Sequence, residues 1–154
     1  KDKETLDAML EYLKLSQDEE YARKHNIQAG VGMAAIQIGL LKRMFVIYYE
    51  TENGPVQYQL VNPVILETSM KKCALEQGEG CLSVPNHHEG LVHRYYKIKM
   101  KAYDALSDEN IIITAMGYDA IVLQHEYHQL EGIFYYDRIN ANNPNSKMPG
   151  EEII

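Results

Sequence analysis

The residues best suited to chemistry lie together in Gln124-His125-Glu126-Tyr127-His128-Gln129-Leu130-Glu131-Gly132. A His followed directly by a Glu, with a second ligand four residues after the His, puts two metal ligands and a general base on one helical face. Here position 129 holds Gln rather than His, and the extra histidine falls one place early, at His128. At about 100° per residue, with His125 at zero, Tyr118, Ile121 and Val122 fall within about 60°, so His125 prolongs an inward-facing apolar stripe. Gln129 then sits at about +40°, Glu126 at about +100° and His128 at about −60°. A cation held between positions 125 and 129 lies on the Glu126 side. One held between 125 and 128 lies near −30°, which leaves Glu126 about 130° around the helix. Taken alone, an inward histidine is more often a hydrogen-bonded core residue than a ligand.

Two further constellations carry functional residue types. Glu79-Gly80-Cys81-Leu82-Ser83-Val84-Pro85 sets a cysteine beside a glycine in a loop entering a strand, where a thiolate can meet a metal. A free cysteine is also often a small buried hydrophobe. Gly30-Val31-Gly32-Met33-Ala34-Ala35-Ile36-Gln37 combines two glycines with two alanines, which lets another backbone approach closely. It lacks the third glycine of a dinucleotide fingerprint and no clear strand leads into it, which argues against phosphate binding.

The elements that must position these residues follow from periodicity. Leu6, Met9, Leu10 and Leu13 have the spacing of an amphipathic helix over 2–14. Ser16 followed by Glu19 reads as a capping box, with a short second helix starting near Gln17 and stopping before Gly30. Strands are expected at Arg43–Glu50, at Tyr58–Val61 after the Asn53-Gly54-Pro55 turn, across Tyr96–Ala102, and at Ile111–Ala115. A long buried helix is expected over Ala120–Gly132, and a polar tail over 140–154. This order predicts an α+β fold, with mainly antiparallel strands packed around a central C-terminal helix that carries the metal site.

Composition narrows the function classes. A chain of 154 residues suits one domain. A net charge of −7 argues against direct nucleic-acid binding. Lys97, Lys99 and Lys101, which alternate along one strand, read as a solvated face. The two cysteines cannot build a disulfide framework and fit a reduced, cytoplasmic setting. No apolar run approaches the roughly 20 residues needed to cross a bilayer.

Taken together and in order, Gly30–Gln37, Glu79–Ser83 and Gln124–Gly132 resemble the three motifs of the peptide deformylases. Leu60-Val61-Asn62-Pro63, Leu91-Val92-His93-Arg94 and Phe134-Tyr135-Tyr136-Asp137-Arg138-Ile139 look like the same family. The insert Ser16-Gln17-Asp18-Glu19-Glu20 is similar to its Gram-positive-type subclass. The resemblance covers nearly the whole chain as one domain, 1–154, with the family's usual N-terminal segment missing.

The resemblance implies a hydrolase that removes the formyl group from N-formylmethionyl peptides, with transient contact to ribosomes through nascent chains. It implies one divalent metal, Fe(II) in the cell and Zn(II) or Ni(II) in purified protein, held by Cys81, His125 and position 129. Leu130 and Gly132 fix that register, so Gln129 stands where the family has its second His, and His128 replaces the family's Asp. Glu126 matches the general acid/base. Gln37 and the backbone N–H of Leu82 match the donors to the formyl oxygen. Gly30, Val31 and Gly32 would hold an extended peptide by strand-like pairing, and Ile121 and Val122 would line the methionine pocket. The glutamine amide oxygen is a poorer ligand than imidazole for borderline metals. It therefore leaves two readings, a weakened metal site in an active enzyme or a silent paralog that keeps the peptide groove. Ligation by His128 conflicts with the helical angles, and a zincin-type protease would also need His at 129.

Overall fold

The computed structural model describes residues 2–25, 30–80 and 88–154. Helix α1 (Asp2–Ser16) and helix α2 (Glu19–His25) lead into strand β1 (Gly32–Ala34) and a 3-10 turn (Ala35–Ile38). Strands β2 (Met44–Thr51), β3 (Gly54–Thr68), β4 (Lys72–Ala74), β5 (Arg94–Tyr95), β6 (Lys97–Asp104) and β7 (Glu109–Met116) follow. Helix α3 (Tyr118–Leu130), a second 3-10 turn (Tyr135–Arg138) and strand β8 (Glu152–Ile153) complete the order. One sheet runs β1-β2-β3-β6-β7 with antiparallel pairing throughout, and a smaller one runs β5-β4-β8. The fold is α+β, with α3 laid across the large sheet, as the sequence predicts.

Side-chain alternation explains the layers. Phe45, Ile47 and Tyr49 of β2 face α3, together with Leu60, Ile98, Met100, Ala102 and Ala115, and they pack on Ala120, Val122 and Leu123. Met44 and Val46 point to the opposite face, where Leu6, Met9, Leu10 and Leu13 of α1 cover them. Strand β2 is therefore buried on both faces and reads as a continuous apolar run. Each fully buried Leu of α1 contributes on the order of 1.5–3 kcal/mol. Lys97 and Lys101 are exposed and Lys99 pairs with Glu67 at 3.0 Å, so the lysine face is solvated.

Four expectations need correction. The cap of α2 is Asp18, whose carboxylate accepts from Tyr21 N–H at 3.1 Å; Ser16 is engaged elsewhere. Strand β3 runs through Asn62-Pro63 instead of ending at Val61, because Asn62 takes a left-handed φ of 52° and the register shifts there. Residues 32–34 form a strand, hidden from periodicity by its length. The final residues are not simply a polar tail: β8 pairs in parallel with β4, and Glu151 is buried against His93 at 2.6 Å.

Candidate active site

Helix α3 is fixed to the small sheet by Gln124, whose amide accepts from Tyr95 N–H at 2.9 Å and donates to Tyr95 O at 2.7 Å. That anchor sets the rotation of the next residue. The Nδ1 of His125 lies 2.7 Å from Glu79 Oε1. Glu79 also receives a two-pronged contact from Arg94, Nη2 to Oε1 at 2.8 Å and Nε to Oε2 at 3.1 Å. Burial pushes the Glu79 carboxyl up, but the Arg94 charge and the hydrogen bonds from His125 and Arg94 outweigh it and hold it below the usual carboxylate range. An ionised Glu79 only accepts, so His125 Nδ1–H donates to it and, in the neutral ring, the lone pair falls on Nε2. Tyr135, fully buried, stacks on the imidazole with centroids 6.0 Å apart and rings 20° from parallel.

His125 lines a cavity of about 290 Å³. Its walls include Gly30, Val31 and Gly32 on one side and Ile121, Val122, His125 and Glu126 of α3 on the other. The buried Glu126 carboxylate sits 3.9 Å from His125 Nε2. Glycine is required opposite it, since a Cβ at Gly32 would meet Glu126 Oε2 at 2.6 Å and its Cγ at 2.9 Å. An acceptor nitrogen and a carboxylate thus converge beside β1, an edge strand of the large sheet.

The remaining residues singled out in sequence are placed as follows. Gln129 is buried in the last turn of α3, on the side opposed to solvent. Gln37 closes the 3-10 turn, its carbonyl accepting from Ala34 N–H at 2.7 Å, and lines a separate groove with Met9, Tyr12 and Met33. Cys81 and Leu82 lie outside the described residues, although Gly80, immediately before them, is on the cavity wall. His128 is engaged with Arg94, its Nδ1 accepting from Nη1 at 2.8 Å. Burial, with Arg94 and Arg138 nearby, pushes the pKa of His128 down to about 3. A neutral ring accepting from a guanidinium is a support for Arg94, and α3 runs without interruption through this turn.

Among the described residues, no cluster of three His, Cys, Asp or Glu side chains is placed to hold a metal ion. A polypeptide deformylase family model matches residues 1–145. The chain belongs to the polypeptide deformylase family. The peptide deformylase of Staphylococcus epidermidis is 46% identical over 155 residues, covering 99% of this chain and 83% of that protein. Peptide deformylase 2 of Bacillus subtilis is 43% identical over 144 residues, covering 93% of this chain and 78% of that protein. The solved deformylase of Thermus thermophilus superposes with a TM-score of 0.66 at 30% identity, covering 92% of this chain and 76% of that one. The structure of Arabidopsis thaliana deformylase 1B superposes at 0.68 with 29% identity, covering 91% and 69%.

Deformylases are metalloenzymes, and of the described residues His125, with the Glu126 carboxylate 3.9 Å from its Nε2, offers donor chemistry suited to a divalent cation. The Glu79–His125 bond is the kind of outer support that fixes a ligating imidazole.

Sequence reasoning overlooked Glu79, Arg94 and Tyr135 as supports of His125. A signal was present for the first two: each is a charged residue set beside small or apolar neighbours, Gly80 for one and Leu91-Val92 for the other. Charges in such settings are buried when paired. Nothing in one sequence says which charge meets which.

Proposed function

We propose that the chain is a metal-dependent hydrolase that removes the formyl group from N-formylmethionyl peptides of nascent proteins in the cytoplasm. The observation that carries this is the convergence of His125 Nε2 and the Glu126 carboxylate on one cavity, beside a strand edge able to pair with an extended peptide.

Cys81, His125 and Gln129 would hold the cation, with Fe(II) in the cell and Zn(II) or Ni(II) as substitutes. When bound, a divalent cation supplies the Lewis acidity that makes water a usable nucleophile at neutral pH. Glu126 takes the proton of the attacking water at its carboxylate and delivers it to the leaving amine nitrogen. His125 would stay out of that transfer because its Nε2 lone pair would be taken by the cation while Glu79 holds its Nδ1–H. Leu82 N–H and the Gln37 amide serve as donors to the developing oxyanion; with the Gln37 carbonyl held by Ala34, donation falls to its NH2 group. Ile121 and Val122 take the methionine side chain, and Gly30, Val31 and Gly32 take the peptide backbone. The products are formate and a free N-terminal methionine. Contact with ribosomes would be transient. A silent paralog gains no support from relatives that carry deformylase names at 43% and 46% identity.

The test is formate release from a formyl-Met peptide by metal-loaded protein. Release is expected, and Glu126→Gln should lower it by roughly 10²–10⁴-fold. No release at saturating metal, or full release by Glu126→Gln, would overturn the reading.

A further inference from the structure

The end of α1 reaches into the cavity and takes hold of β1. Ser16 Oγ donates to Leu13 O at 2.7 Å and accepts Gly30 N–H at 3.1 Å. Gln17 Nε2 donates to Gly30 O at 2.9 Å and to Tyr48 O at 2.6 Å, and Gln17 itself forms part of the cavity wall. Tyr48 N–H donates to Val31 O at 2.9 Å. In an antiparallel pair a residue so bonded turns both its N–H and its C=O to the partner strand, so Val31 faces β2 and Gly32 faces the open edge. The Gln17 amide that holds Tyr48 O also holds Gly30 O, and Ser16 holds Gly30 N–H. The backbone of Gly30 is therefore held by the end of α1.

We propose that Gln17 is a positioning residue that sets the register of the bound peptide. By holding Gly30 O beside the Ser16 bond to Gly30 N–H, it prevents an incoming strand from pairing at Gly30 and leaves Gly32 as the first open edge position of β1. The peptide is thereby admitted from Gly32 onward, with its formylated end toward His125 and Glu126. This rests on the reading that β1 holds an extended formyl peptide. It gives the short helical insert after α1 a role in substrate alignment.

The test compares metal-loaded wild type, Gln17→Met and Gln17→Glu on two substrates, a formyl-Met tripeptide and formyl-methionine amide, which lacks the later residues. Met keeps the volume and removes the donor; Glu keeps the shape and sets an acceptor against two carbonyls. Both variants should raise KM for the tripeptide about tenfold, the worth of one or two net hydrogen bonds. Turnover should stay within about twofold, and KM for the short amide should not move. A Gln17→Glu variant that matches wild type would show that the side chain is only a wall and would overturn the proposal. Equal KM shifts for both substrates, or a fall in kcat alone, would also overturn it. Calorimetric titration with the same tripeptide gives the same ordering in Kd. It separates failure of the clamp from failure of the deformylase reading, because it needs no turnover.

Discussion

The two ends of α3 make an instructive contrast. In its middle, three polar side chains are each fixed by a neighbouring element: Gln124 is bonded to Tyr95, His125 to Glu79, and Glu126 is packed against Gly32. In its last turn, His128 and Gln129 depart from the family's pattern, yet the helix is continuous and closes on Glu131, with Gly132 at a φ of 79°. The difference shows that support and ligation are separable. Arg94 keeps a partner at 128 because a neutral imidazole can accept where a carboxylate would. At 129 an amide is buried, and under the proposed ligand set it would offer a metal less than an imidazole. The fold accommodates both residues, so the cost of the change would fall on the metal.

The first way to break this contrast is at the intact end. Gly32→Ala forces Glu126 aside, since both its carboxylate oxygen and its Cγ lie within 3 Å of the new methyl. A displacement near 1 Å at a reacting group costs on the order of 10²-fold in rate. We expect kcat for formyl-Met peptide to fall by about that factor while the bound-metal content stays as in wild type. Unchanged kcat would mean that Glu126 is not the proton carrier.

The altered end should give a smaller effect, on stability. The pKa of His128 is about 3 in the fold against an ordinary 6.5, so below about pH 6.5 the unfolded chain binds the proton first. Its contribution is fully present above pH 6.5 and is lost progressively as pH falls toward 3. His128→Gln keeps an acceptor for Arg94 without the titration. Between pH 7 and 4 its melting temperature should fall by less than that of wild type. Parallel curves would show that burial and Arg94 do not hold the ring neutral in the fold.

Much of this was legible in the sequence. The stripe of Tyr118, Ile121, Val122 and His125 marks the cavity side of α3, because helical spacing decides it. The alternation of Ile98, Met100 and Ala102 marks the buried face of β6 in the same way. The tail was not legible, because β8 is only two residues long and is stabilised by Glu151, buried against His93. The Glu79–Arg94 pair was hidden because it joins residues distant in sequence, which no local period reports. The role of His128 followed only from its distance to Arg94.

The central claim is that this is a deformylase whose metal site is weakened at one position. The most direct measurement is formate release against added Fe(II), made anaerobically and in parallel for wild type and Gln129→His. The account predicts release by both, with Gln129→His reaching its plateau at roughly tenfold lower metal, because imidazole replaces a neutral amide. Identical metal curves and identical turnover would contradict it and show that position 129 does not face the metal.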